Sequence, residues 1–154
     1  MTIKRIILSF IILISSLSAF AGAIGTWKSY LSYANIQWVE QGGNRLYVLA
    51  SNALYTYNKA DQSIQTYDKQ NGLSSIDIRF IGWNEVAKRL VIVYEDNNID
   101  LMDAKGNVTN VPDYYLKALT SDKTVYSIDM NGAYCYLSTG FGLVKLNVAK
   151  AEIS

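Results

Sequence analysis

Arg45-Leu46-Tyr47-Val48-Leu49-Ala50-Ser51-Asn52-Ala53-Leu54-Tyr55-Thr56-Tyr57-Asn58 reads as a β-hairpin, and the chain writes it three times. Two apolar, aromatic and β-branched runs flank a two-residue polar turn, which is the local signature of paired strands. The second copy is Arg89-Leu90-Val91-Ile92-Val93-Tyr94-Glu95-Asp96-Asn97-Asn98-Ile99-Asp100-Leu101-Met102-Asp103. The third is Ala133-Tyr134-Cys135-Tyr136-Leu137-Ser138-Thr139-Gly140-Phe141-Gly142-Leu143-Val144-Lys145-Leu146-Asn147. Leu46 to Leu90 and Leu90 to Tyr134 are each 44 residues; Leu54 to Ile99 is 45 and Ile99 to Leu143 is 44. A period near 44 made of short β-rich runs is that of one four-stranded propeller blade. The fold class expected is therefore all-β, with Leu46, Leu90 and Tyr134 at equivalent positions. A single blade cannot bury both faces alone, so its neighbours must cover it.

Working outward from the hairpins, each copy resolves into more strands. Blade one takes 36–40, 45–50, 53–58 and 63–67, and blade two takes 78–83, 89–94, 98–103 and 108–111. Blade three takes 125–129, 133–137 and 143–148, leaving Glu152-Ile153-Ser154 for its fourth strand. The blades are placed at about 36–70, 76–116 and 123–154, the last one incomplete, within an incomplete propeller of about seven blades. Gly106 in Asp103-Ala104-Lys105-Gly106-Asn107 supplies the positive φ of a hairpin turn. Pro112 is expected to end an outer-edge strand, where a missing N–H is tolerated. If the chain holds three blades, two large sheet faces lie open, so the isolated segment should associate or melt readily.

The leader has Lys4 and Arg5, an apolar run over 6–14, and small-x-small sites at Ala19-Phe20-Ala21 and Ala21-Gly22-Ala23. This is a signal-peptide pattern over residues 1–21, with cleavage as late as 23, and the run is short for a membrane span. Residues 22–35 form a lead-in to the propeller at 36–154. The product is expected in the periplasm or at the outer cell surface, with no stable membrane span. After removal of Lys4 and Arg5, 14 − 2 = 12 basic residues face 13 acidic ones. That near-neutral balance gives no case for nucleic acid as a partner. One cysteine, Cys135, cannot form an internal disulfide and reads as a small buried hydrophobe in a strand.

Chemistry-bearing constellations are scarce. The chain has no histidine, which removes His-based triads and His metal sites from this segment. No glycine-rich phosphate loop opens a helix. The densest carboxylate run, Glu95-Asp96-Asn97-Asn98 with Asp100, has the composition of a calcium loop, yet it aligns with the turns Ser51-Asn52 and Ser138-Thr139-Gly140. It is read as a turn. No catalytic, cofactor-binding or metal-binding residue and no cofactor is therefore expected. Asn107-Val108-Thr109 matches a glycosylation sequon and nothing more. Twelve tyrosines and three tryptophans suit interblade packing or a carbohydrate-stacking surface, and packing is favoured. Trp27, Tyr30 and Tyr33 would cap blade one or form a ring-closing strand. Tyr114-Tyr115 falls in a linker and is expected to be exposed.

Two features carry a family resemblance. Asn71-Gly72-Leu73-Ser74-Ser75 before Ile78-Arg79-Phe80-Ile81, and Thr139-Gly140-Phe141-Gly142-Leu143, resemble two-component regulator propeller repeats. Gly25-Thr26-Trp27-Lys28-Ser29-Tyr30-Leu31-Ser32-Tyr33 after a signal peptide resembles the start of PorZ-like proteins. That resemblance implies a part of the type IX secretion attachment complex of Bacteroidota. It implies a non-enzymatic binding and scaffolding module with protein partners at the outer surface. A glycan or lipopolysaccharide ligand would bind through parts not present here. Two other readings are a periplasmic glycan-sensing propeller of a hybrid two-component receptor and a fragment of a propeller enzyme acting on polysaccharide.

Overall fold

Each hairpin of the repeat gains one strand on either side. The structure, a computed structural model, describes residues 31–154, so the leader, Trp27 and Tyr30 lie outside it. The first blade is β1 (Ile36–Gly42), β2 (Arg45–Ala50), β3 (Ala53–Asn58) and β4 (Ile64–Tyr67). The second is β5 (Ile78–Asn84), β6 (Arg89–Tyr94), β7 (Ile99–Asp103) and β8 (Val108–Asn110). The third is β9 (Val125–Asn131), β10 (Tyr134–Thr139), β11 (Gly142–Asn147) and β12 (Glu152–Ile153). Each forms one four-stranded antiparallel sheet in sequence order. The chain is thus an all-β propeller segment of three blades.

Register corrects one expected equivalence. Arg45 pairs with Asn58, Arg89 with Asp103 and Tyr134 with Asn147. Tyr134 therefore corresponds to Arg45 and Arg89, and Cys135 is the partner of Leu46 and Leu90. Leu54, Ile99 and Leu143 do occupy equivalent places. The misplaced match arose because Tyr134 is apolar enough to pass for a core position, whereas it sits half-buried beside Tyr136, 6.4 Å between ring centroids. The hairpin turns are Ser51-Asn52, Glu95-Asp96-Asn97 and Gly140-Phe141. Ser138 and Thr139, expected in the third turn, belong to β10, and Thr139 Oγ1 donates to Gly142 O at 2.7 Å. Ser51 and Asn52 have φ of 48° and 60°, the twist that a two-residue hairpin needs.

The sheets stack face to face, and the alternation of side chains splits the core into two layers. Leu90, Ile92, Tyr94 and Met102 pack with Tyr47, Leu49, Leu54 and Trp83 between blades one and two. Val91, Val93, Ile99 and Leu101 pack with Cys135, Leu137, Val144 and Leu146 between blades two and three. This explains why Leu90–Tyr94 is an unbroken apolar run: its odd and even residues face different partners, and both faces are covered.

Two inner strands use glycine for close approach. A Cβ on Gly42 would stand 2.6 Å from the Trp83 ring, and one on Gly82 would stand 2.6 Å from Met130 Cε. Without side chains there, the neighbouring blade's large side chains reach the sheet. Pro112 follows the outermost strand of blade two, and it also starts the next element. β8 stops at Asn110, and Pro112, with φ −79° and ψ −7°, opens a single turn of helix, α1 (Asp113–Leu116). Proline suits that place because the first N–H of a helix has no partner to lose. The turn drives Tyr114 into the second core layer, where its hydroxyl donates to Lys123 O at 2.6 Å. The expected exposed pair is thus split: Tyr114 is buried and Tyr115 is exposed.

Candidate functional site

The three innermost strands share a bulge at one position. Pairing skips one residue between Ile36 and Trp38, between Ile78 and Phe80, and between Val125 and Ser127. The skipped residues are Gln37, Arg79 and Tyr126. A bulge leaves one residue unpaired and re-aims its side chain. All three lie at the end of the sheets that carries the β2–β3-type turns and the interblade linkers, and all three are tied down there. Gln37 Nε2 donates to Asn52 Oδ1 at 2.7 Å while its Oε1 accepts from Asn52 N at 2.8 Å. Arg79 Nη1 pairs with Glu95 Oε2 at 2.8 Å. Tyr126 hydroxyl donates to Asp122 Oδ2 at 2.7 Å.

Alongside these residues runs a groove of about 590 Å3 along β1, β5 and β9, lined by Trp38, Glu40, Arg79, Phe80, Ile128 and Asp129 among others. Trp38 is 57% exposed, and its indole N–H donates to Glu40 Oε1 at 2.7 Å, which fixes the ring. Arg79 stands 5.6 Å from the centroid of Phe80. Bonds from the Thr124 backbone and hydroxyl, then from Tyr126, hold the Asp122 carboxyl below its ordinary value. The same Asp122 bond and charge raise the Tyr126 phenol. The groove offers stacking surfaces and fixed donors and acceptors, which are the means of binding.

The interblade junction explains its own sequence. Asp68 Oδ1 accepts the backbone N–H of Gln70 and Asn71 at 2.8 and 3.0 Å. Asn71 Oδ1 in turn accepts from Asp68 N at 2.6 Å, and its Nδ2 donates to Thr66 O at 3.0 Å. Gly72 turns at φ 129°, which a side chain would resist, and Leu73 is buried. Ser74 N then donates to Asp100 Oδ2 at 2.8 Å, and Ser75 Oγ donates to Asp96 Oδ2 at 2.5 Å. The junction is thereby sewn to the second blade.

The acidic run divides between two roles. Glu95, Asp96 and Asn97 form the turn, as read from sequence, whereas Asp100 is fully buried on the face toward blade one. Its carboxylate also accepts Tyr94 hydroxyl at 2.6 Å and Asn110 Nδ2 at 2.8 Å. Burial, then the Asp100 charge, raises the Tyr94 phenol far above its ordinary value. Asp96 and Asp100 thus serve separate donors, and among the described residues no three acidic, cysteine or histidine side chains gather as a metal set would require.

Aromatic residues serve interblade packing and more. Tyr47 stacks on Trp83 across the first seam, with centroids 5.3 Å apart and rings 18° from parallel. Tyr33 meets Tyr55 edge-on at 5.6 Å, so this lead-in residue caps part of blade one. Sequence reading missed the bulged set Gln37, Arg79 and Tyr126. The available signal was a polar or amphipathic residue second in each inner strand, in Ile36-Gln37-Trp38, Ile78-Arg79-Phe80 and Val125-Tyr126-Ser127.

Comparison with known proteins agrees with this architecture. The family model described as the N-terminal β-propeller domain of PorZ of the type IX secretion system matches residues 46–154. Among solved structures, the chain is similar to PorZ of Porphyromonas gingivalis, a bacterial surface component of that system. The identity is 33% over 84% of this chain and 17% of that one, with a TM-score of 0.77. It shares the fold of the extracellular domain of BT4673 from B. thetaiotaomicron, at 15% identity over 84% of this chain and 17% of that one, TM-score 0.62. The extracellular domain of the hybrid two-component system BT3049 from the same organism is alike in fold, at 17% identity over 86% and 19%, TM-score 0.59. No curated protein matches the chain in sequence. The chain spans about one sixth of the length of these solved relatives.

Proposed function

The chain belongs to the family of PorZ N-terminal β-propeller domains, and from that premise we propose that it is a non-enzymatic binding and scaffolding module of a type IX secretion attachment complex. Residues 1–21 act as the export signal, residues 22–35 lead in, and residues 36–154 form the propeller segment, working at the outer surface or in the periplasm. The observation that carries the reading is the 33% identity to PorZ over most of this chain, at a TM-score of 0.77. The geometry supports it: Asp96, Asp100, Asp103 and Asp122 are committed to hydrogen bonds that build turns and junctions. The bulged residues and the fixed Trp38 ring present a contact surface. The glycan-sensor reading has only fold likeness behind it, at 15% and 17% identity.

Affinity capture of the tagged full-length protein from the envelope of its host, followed by mass spectrometry, tests this. Secretion-complex components should co-purify, and deleting the gene should leave secreted cargo in the periplasm. Normal cargo secretion without the gene would contradict the reading. The double variant Arg79→Ala/Tyr126→Ala should fold and weaken the captured complex about tenfold if the bulged surface carries a contact of about 1.4 kcal/mol.

A further inference from the structure

We propose that the seam between the first and second blades holds a small monovalent anion of the halide class, bound by Arg45, Tyr47 and Tyr67. Arg45 and Tyr47 lie on β2 on the face toward blade two, and Tyr67 lies on the same face of β4, where it pairs with Leu54. Tyr47 and Tyr67 are 0% and 2% exposed, yet neither phenolic oxygen has a hydrogen-bond partner, and Arg45 Nη1 is buried in the same state. Tyr67 hydroxyl reaches the β7–β8 turn: a Cβ on Gly106 would stand 2.8 Å from it. Arg45, Tyr47 and Tyr67 thus share one sheet face, with the β7–β8 turn of blade two against it.

The donor set selects the ligand. A guanidinium donates and never accepts, and here it has no carboxylate within salt-bridge distance among the described residues. Burial foremost raises the Tyr47 phenol, so it stays neutral and can donate. A buried guanidinium nitrogen without a partner, Arg45 Nη1, is costly, and two unpartnered hydroxyls add to that cost. Asp103 does not offset it, because its carboxylate serves its own turn through Lys105 N, Asn107 N and Asn107 Nδ2 at 2.8, 2.9 and 2.8 Å. Three donors with one positive charge call for a compact acceptor carrying one negative charge.

The next seam shows the alternative. Arg89, equivalent to Arg45 by register, donates through Nη1 to Val148 O at 3.2 Å and Ala149 O at 3.5 Å. Those carbonyls correspond to Ala104 and Lys105 in blade two. In the first seam Arg45 Nη1 has no such partner, and it is left to an exogenous acceptor. A groove of about 470 Å3 lined by Arg45, Asn58, Trp83, Lys88 and Ala104 leads to the seam from the end opposite the linkers. Lys88 is paired with Glu85, so Arg45 supplies the cation that draws an anion in.

Thermal melting of the full-length chain tests the site, with sodium chloride or bromide replacing sodium gluconate at constant ionic strength. A saturable rise in Tm of about 3 °C is expected with either halide. The variant Tyr47→Phe/Tyr67→Phe should lose that dependence. Crystals grown in bromide should give an anomalous peak within hydrogen-bond distance of Arg45 Nη1 and both phenols. Identical melting in all three salts, or density at the seam without anomalous signal, would overturn the proposal and assign the place to water. If the double variant fails to fold, the wild-type titration and the diffraction decide on their own.

Discussion

Asp100 shows how one residue can hold a junction. It is fully buried, and its two oxygens take a backbone N–H from the interblade segment, a phenol from its own sheet and an amide from β8. Asp100→Asn keeps one acceptor oxygen but turns an NH2 toward either the Asn110 amide NH2 or the Ser74 N–H, so a buried donor loses its partner. It should cost about 2–4 kcal/mol in urea unfolding, while the exposed turn residue Asp96 should cost under about 1 kcal/mol on the same change. Sequence showed Asp100 only as one more carboxylate in a polar run, because its partner Ser74 lies 26 residues away. Cys135 was more legible, since a lone cysteine between two tyrosines in a strand has few roles. It is fully buried, and burial foremost, then the charge of Asp129, pushes its thiol up to about 12. The thiolate is the reactive form. Iodoacetamide at pH 8 should leave the native chain unmodified within an hour and label it fully in urea; rapid native labelling would place Cys135 at the surface.

Among the elements, the hairpins were readable because the side-chain period of a strand and the turn residues between strands are both local signals. Their neighbours are set by contacts that a local pattern does not carry. The bulges at Gln37, Arg79 and Tyr126 show only once β1, β5 and β9 are paired, and the helical turn after Pro112 exists to bury Tyr114. Gly42 lies just past the strand expected at 36–40, and Gly82 lies inside the one expected at 78–83. Both are places where the next blade enters, but they differ in what enters. Gly42 meets an indole pinned by its stack on Tyr47 and by its N–H to Glu85, whereas Gly82 meets the flexible end of Met130. Gly42→Ala should therefore cost about 2–3 kcal/mol and Gly82→Ala about 1 kcal/mol in chemical unfolding. Equal costs would mean that Trp83 can yield as readily as Met130.

Across the whole molecule, the logic is that of a stack. Blade two is covered on both sides, so its β6 is apolar on both faces. Blades one and three each turn one face away from it. Val39 is 48% exposed on the outward face of blade one, and Leu143 is 67% exposed on that of blade three; Tyr33 covers only part of the former. A blade gains stability from each neighbour it packs against, so stability in such arrays is shared across seams. Large open apolar faces on a soluble chain lead to association. The period near 44 made this stack readable at the start, because a repeat of that length implies a unit that depends on its neighbours. What the repeat could not convey is how each seam is sealed, by Tyr47 on Trp83 in one and by Arg89 on backbone carbonyls in the other.

Sedimentation velocity of the segment 24–154, paired with its thermal unfolding curve, tests the central claim that these are blades of a larger ring. Self-association or a broad, early transition is expected for the segment. A version extended to about seven blades, roughly 310 residues, should sediment as a monomer and melt in one sharp step. A compact monomer of the 24–154 segment with a single cooperative melt would contradict it, because the three sheets would then close a domain of their own.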